Sequence, residues 1–211
     1  MKKFIIGILL ALFVSSAFAI ETKYNSFGFH FSVPLIFESG GEKNGVKADS
    51  SMTSIGFGLH ALSLYTDRLG FYVNMDLVFP QKIKMDLSYG GSSYSYELSR
   101  SDYNSLWGMA ALLGPGICLT HSESMLFTIS PGVHYMMLVA DSGSNDSVSF
   151  IFGIGANIQD SIFFAENGYF TIGADIAFDF LGFVMANGHS NSTDGHDFII
   201  NPKIGVGFKF N

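Results

Sequence analysis

Residues 27–37 read FGFHFSVPLIF, and the odd positions, Phe27, Phe29, Phe31, Val33, Leu35 and Phe37, are all large and apolar. Gly28, His30 and Ser32 stand between them. The stretch therefore alternates with period two, the mark of a strand with one apolar and one polar face. The pattern recurs along the chain. Around 53–65, Ile55, Phe57, Leu59 and Ala61 alternate with Ser54, Gly56, Gly58 and His60. Around 69–80, Leu69 to Phe79 on the odd positions alternate with Gly70, Tyr72, Asn74 and Asp76. Further segments fall at about 105–120, 125–139, 148–158, 170–180 and 198–210. Their apolar faces are carried by Trp107, Phe127, Phe152, Phe170 and Phe208 among others.

The face that carries charge decides what surrounds these strands. Asp76, Asp175, Asp179, Lys203 and Lys209 all fall on the face rich in Gly and Ser, and none falls on the aromatic face. A soluble sheet does the reverse, with its apolar side inward. A lipid-facing face must avoid charge, because a Lys or Arg at the bilayer midplane costs about 2–4 kcal/mol. Charged residues make up 14% of the chain, against about 25% in soluble domains. Beyond the N-terminus no uninterrupted apolar run is long enough for a spanning helix. Only a closed barrel then satisfies every backbone group in lipid. The expected fold class is all-β: an eight-stranded antiparallel up-and-down transmembrane β-barrel.

The links carry an independent signal. Thr66–Arg68 and Ser122–Ser124 are tight, whereas 38–52, 81–104 and 183–197 are long and polar. Long and short links alternate, as extracellular loops and periplasmic turns do. The 141–147 link fits as a shorter outer loop, and 160–168 reads as an unusually long turn. Pro34, Pro115, Pro131 and Pro202 sit inside the proposed strands and Pro80 closes one. Each removes a ladder donor and predicts a bulge or bend.

The N-terminus predicts export. Lys2 and Lys3, the apolar run Phe4 to Val14, and Ser15-Ser16-Ala17-Phe18-Ala19 form a cleavable signal peptide over 1–19, leaving 20–211 as the barrel. The net charge of −7 argues against nucleic acid as a partner. Cys118 is the single cysteine, so no internal disulfide forms.

Eight strands enclose room only for side chains or one small ligand. Registers taken from the link centres place His30 opposite His60 and Asp76 diagonal to His60. They also place Asp175 near Lys203 and Asp179 opposite Asn201. A polar lumen network of His30, His60, Asp76, Asp175, Asp179 and Lys203 is expected, since buried charges must pair. A nucleophile–base–orienter reading of Ser32, His60 and Asp76 competes. A mid-lumen position denies them substrate, so no catalytic residue and no enzyme activity is expected. His30 and His60 alone do not complete a metal shell. Neither Asp194-Gly195-His196-Asp197 nor Asn145-Asp146 has the spacing of a calcium loop. No metal and no cofactor is expected.

Three further sets stand out. Ile36, Leu62, Leu64, Leu112, Met136, Leu138 and Ile151 share the inward phase and could line a path for small hydrophobic molecules. Tyr65, Tyr72, Trp107, Tyr135 and Tyr169 near segment ends, with Phe208 and Phe210, suit the membrane interface. Within 81–104, alternation over 85–89 and 94–98 around Gly90-Gly91-Ser92-Ser93 predicts a β-hairpin. Its Tyr89, Tyr94 and Tyr96 could engage a partner.

A signal peptide, eight amphipathic strands and a last strand bearing Phe208 and Phe210 resemble the small bacterial outer-membrane barrels of the OmpA/OmpX/OmpW type. The resemblance covers the mature chain as architecture, not as a motif. The Phe-, Ser- and Gly-rich character is also similar to small spirochaete (treponemal) barrels of unknown function. The resemblance implies an outer-membrane location, membrane lipid as surroundings, and a monomer. The terminal strand is similar to the signal read by the barrel-assembly machinery, departing from it in that Asn211 follows Phe210. A structural or adhesin-like surface role toward a host or surface ligand follows. The alternatives are an OmpW-like carrier of small hydrophobic molecules and, less so, a lipid-modifying barrel enzyme.

Overall fold

The computed structural model describes residues 22–43, 45–143, 146–186, 189–193 and 195–210. The expected signal peptide, 1–19, lies outside them. The strands are β1 (Tyr24–Ser32), β2 (Leu35–Lys43), β3 (Val46–Leu64), β4 (Leu69–Tyr89), β5 (Ser92–Ser99), β6 (Ser105–His121), β7 (Met125–Asp141), β8 (Asp146–Phe163), β9 (Gly168–Ala186), β10 (His189–Thr193) and β11 (His196–Phe210). β1 and β2 are the two halves of one barrel strand. Pro34 interrupts the ladder between them, yet the register runs through: Ser32 faces Gly56 and Leu35 faces Thr53.

Every neighbouring pair is antiparallel, in the order β1/β2–β3–β4–β6–β7–β8–β9–β11. β1 then pairs with both β3 and β11, which closes an eight-membered ring and leaves it no edge. β5 pairs with β4, and β10 with β9. Both lie beyond the ring, at the end opposite the short turns.

The long links are therefore not irregular loops. β2 and β3, β4 and β5, and β9 and β10 run through most of the polar segments as hairpins. Gly90 (φ 56°) and Gly91 (φ 84°) make the two-residue turn between β4 and β5, where both positions need the left-handed region. Pro80 does not close its strand. β4 continues to Tyr89 because a bulge at Gln81 absorbs the defect, with Ser54 facing Pro80 and Thr53 facing Lys82. β8 likewise runs on to Phe163 and shortens the suspect turn. That extension carries Asp160 onto the aromatic face, between Phe127 and Ile172, so this face holds one charge near its short-turn rim. A second bulge at Phe152/Gly153 lets Phe180 and Leu181 both point outward.

The alternation sorts the side chains by face. Phe29, Phe57, Phe71, Ile154, Phe170, Ile204 and Phe208 are exposed around the outside, while the inward phase is buried. Inside, Tyr24, Leu62, Leu64, Tyr72, Leu112, Cys118 and Leu126 form an apolar cluster toward the short turns. Ile36, Met52, Met136, Ala177 and Ile199 form another toward the hairpins. The inward apolar residues thus split into two groups and do not form one continuous path.

Candidate functional site

Buried polar side chains lie between the two apolar clusters. His30 Nε2 lies 2.7 Å from Asp76 Oδ1, and Ser32 Oγ donates to the same oxygen at 3.1 Å. His30 Nδ1 meets His60 Nδ1 at 3.3 Å, and His60 Nε2 meets the Tyr169 hydroxyl at 3.1 Å. With neutral rings one set of tautomers serves all these contacts. Tyr169 donates to His60 Nε2, His60 Nδ1–H donates to His30 Nδ1, and His30 Nε2–H donates to Asp76. Asn74 Nδ2 donates to Asp76 and also to Asp175 Oδ2 (3.0 Å), and Asn157 Nδ2 donates to Asp175 Oδ1 (2.8 Å). Lys203 Nζ pairs with Asp175 and lies 3.8 Å from Asp76 Oδ2. One ammonium thus serves two carboxylates.

Asp179 belongs to a separate pair, with His134 Nδ1 at 2.8 and 2.9 Å from its two oxygens. Both histidine–aspartate pairs are built the same way. His30 faces Gly58 on the next strand, and Gly58 faces Asp76 on the one after. His134 faces Gly153, which faces Asp179. Each pair spans two strand spacings of about 4.8 Å across a glycine, with the His30 ring lying over Gly58 and the Asp179 carboxylate against Gly153. A Cβ on Gly58 would collide with the His30 ring, and one on Gly153 would meet Asp179 Oδ1 at 2.5 Å.

Several expectations shift. His30 and His60 touch diagonally, since His30 faces Gly58 and His60 faces Gly28, two residues off the expected register. Asp76 sits diagonal to His60 as expected. Asp179 is not opposite Asn201. It faces Asp197, and Asn201 faces Asp175, because the β9/β10 hairpin turns nearer β9 than the middle of the polar segment. Tyr72 and Tyr169 are not interfacial anchors. Tyr72 shares the inward phase of Asn74 and Asp76, Tyr169 that of Thr171 and Asp175, and both are fully buried. Tyr65, Trp107 and Tyr135 are half-buried, and Phe208 and Phe210 are exposed on the outside. Ser32, His60 and Asp76 do not assemble as a triad. The serine donates to the carboxylate, and the His60 nitrogens face His30 and Tyr169. Asn74, Asn157, Tyr169 and His134 join the polar cluster without having been singled out for it; the parity of their positions was the available signal.

Beyond the ring, the hairpin walls are themselves two-faced. Directly paired residues share a face, so Ile83 with Leu98, Met85 with Tyr96 and Leu87 with Tyr94 stand on the side that continues the lumen wall. The opposite side carries Lys82–Glu97, Lys84–Asp86 and Lys47–Asp49 ion pairs. The Lys84 ammonium holds the Asp86 carboxyl below its ordinary range. Tyr89, Tyr94 and Tyr96 are exposed. At the hairpin-side mouth of the lumen, just beyond the membrane-facing residues Phe37 and Phe198, Asp197 faces Glu38 on β2. Burial, then the neighbouring Glu38 and Asp179 carboxylates, raise its carboxyl to about 7.

A closed antiparallel ring with aromatic side chains outside, ions inside and long hairpins at one end defines a transmembrane β-barrel of the outer-membrane type. No family model matches the chain, and no curated protein matches it. Solved structures do. The outer membrane protein OprG from Pseudomonas aeruginosa superposes with a TM-score of 0.60 at 12% identity, covering 91% of this chain and 98% of that one. Ail, the attachment invasion locus protein of Yersinia pestis, matches with a TM-score of 0.49 at 11% identity over 90% of this chain and all of that one. The OprG likeness is one of fold: this chain is a small outer-membrane β-barrel.

Proposed function

We propose that the protein works at the cell surface, as a structural and interaction barrel of the adhesin kind whose lumen is closed to solutes by its own side chains. The observation that carries this reading is the buried polar layer. Ser32, His60, Asn74, Asp76 and Asn157 are all at most 2% exposed, and apolar clusters flank them on both sides. A route through the barrel would have to break paired charges in a space of low dielectric, which is costly. The hairpins, by contrast, offer Tyr89, Tyr94 and Tyr96 to solvent, and aromatic residues of this kind are enriched in binding hot spots. The barrel acts as a monomer in outer-membrane lipid. Its last strand, with Val206, Phe208 and Phe210 turned outward, serves as the segment read by the assembly machinery. An enzymatic role is not part of this reading: Ser32 donates to a carboxylate that His30 already holds, and both lie in the buried layer, away from any substrate.

Two measurements test the reading. Refolded barrel in planar bilayers is expected to stay silent; discrete conductance steps would overturn lumen closure. Cells displaying the barrel are expected to bind host matrix, and Tyr94→Ser/Tyr96→Ser, with its folding verified by the heat-dependent gel shift, is expected to lose that binding. Equal binding by both would overturn the surface role. A second reading, a carrier of small hydrophobic molecules, draws on the apolar clusters at both ends of the lumen. It predicts conductance altered by hydrophobic solutes.

A further inference from the structure

The hairpin-side mouth of the lumen holds a pouch of about 160 Å³. Ile36, Met52, Met136, Leu138 and Ile151 line it, and Glu38 and Asp197 stand at its rim. The two carboxylates sit side by side on paired strands, Glu38 facing Asp197 across β2 and β11. Among the described residues neither has a Lys or Arg within ion-pair distance. The hairpin lysines Lys47, Lys82 and Lys84 are held by Asp49, Glu97 and Asp86 on the opposite face. Asp179, the third nearby carboxylate, is taken by His134. Glu38 accepts a hydrogen bond from Ser50 at 2.8 Å, which fixes one of its oxygens at the rim.

Two neighbouring carboxylates at the rim of an apolar pouch repel each other, and Asp197 is partly buried while Glu38 is exposed, so a cation between them is favoured. Binding pockets are commonly apolar with a few placed polar groups that set orientation. Here those groups are two acids, and with the Asp197 carboxyl near 7 both are anionic only above that pH. We propose that the pouch binds a small amphipathic cation of the alkylammonium type, with its apolar body against Met136 and Ile151 and its charged head between Glu38 and Asp197. An apolar cavity of about 150 Å³ takes a benzene-sized body, so the pouch has room for about six heavy atoms. A neutral alcohol of the same length keeps the apolar contact but loses the charge-assisted hydrogen bonds, and a carboxylate meets like charge. The site is independent of the tyrosines on the β4/β5 hairpin, so it stands or falls separately from the adhesin-like role.

The test uses refolded barrel in zwitterionic lipid nanodiscs at about pH 8, above the Asp197 carboxyl, with empty nanodiscs as the blank for partitioning. Calorimetric titrations with hexylammonium, hexanol and hexanoate are compared. Saturable hexylammonium binding at least roughly tenfold tighter than hexanol is expected, with no hexanoate binding. Glu38→Gln/Asp197→Asn should bring hexylammonium down to the hexanol level while leaving hexanol unchanged. Ile151→Trp, which fills the pouch, should abolish both. The heat-dependent gel shift confirms that each variant is folded. Equal affinities for hexylammonium and hexanol, or ammonium binding that survives Glu38→Gln/Asp197→Asn, would overturn the proposal.

Discussion

Replacing Lys203 by Met tests the buried ion layer most directly. The ammonium pairs with Asp175 and lies 3.8 Å from Asp76, and the side chains of all three are at most 7% exposed. Asn74 bridges the same two carboxylates through one nitrogen, so the two anions stand close together. Removing the cation leaves two uncompensated, mutually repelling charges, and breaking a buried pair by deleting one partner costs about 3–5 kcal/mol. With a urea slope of about 2 kcal/mol/M, the unfolding midpoint of the refolded barrel should fall by roughly 2 M. The assay is reversible urea unfolding in lipid vesicles, followed by the folded and unfolded gel bands. Lys84→Met, on the exposed hairpin face, is the control and should leave the midpoint in place. Adding Asp175→Asn to Lys203→Met should recover part of the loss, a non-additivity expected of groups in one network. A Lys203→Met shift no larger than that of Lys84→Met would refute the reasoning.

Two of the buried lumen tyrosines, Tyr169 and Tyr72, should behave differently in the same assay. Tyr169→Phe removes a donor to His60 and should cost about 1–3 kcal/mol. Tyr72→Phe should be neutral or stabilising, because the Tyr72 hydroxyl is buried without a hydrogen-bond partner among the described residues. Gly58→Ala should destabilise by about 1–3 kcal/mol, because its Cβ would meet both the His30 ring and the Met75 backbone carbonyl, and a His30→Ala background should relieve only the first of these. For Asp197 the folded carboxyl sits near 7, above its ordinary value of 3.8. Its favourable contribution is therefore complete below about pH 4 and is lost as pH rises through 7. Asp197→Asn should match wild type near pH 4 in unfolding midpoint relative to a Ser190→Ala reference, and exceed it at pH 8.

The barrel was legible because alternation and charge are both local properties. Phe27 to Phe37 fixes one face by its own parity, and Asp76, Asp175 and Lys203 then identify the other without any knowledge of neighbours. What local parity misses is where a strand stops. The polar residues of 81–104 read as a loop outside their central hairpin, yet Lys82 and Lys84 continue β4, since a hairpin standing in water needs no apolar outer face. Pro80 misled for a related reason. A missing donor ends a ladder only if no bulge absorbs it, and Gln81 does so. Asp160 passed unnoticed on the outer face because β8 outlasts its last clear apolar alternation at Ile158.

The polar cluster was legible in membership and not in pairing, and glycine explains the difference. Register arguments pair residues on adjacent strands, so they connect His30 with His60 and leave His134 without a partner. The contacts that form instead cross an intervening strand: His30 over Gly58 to Asp76, and His134 over Gly153 to Asp179. In a closed barrel of this width, strands two apart bring their inward side chains within reach, provided the residue between lacks a Cβ. The Gly and Ser of the inward face, read from sequence as merely small enough for a narrow lumen, therefore select which charges meet. A row of His, Gly and Asp on three successive strands is a pattern that sequence can show once the registers are known. Its double occurrence here, on β1–β3–β4 and on β7–β8–β9, makes glycine placement as much a determinant of the lumen's electrostatics as the charged residues themselves.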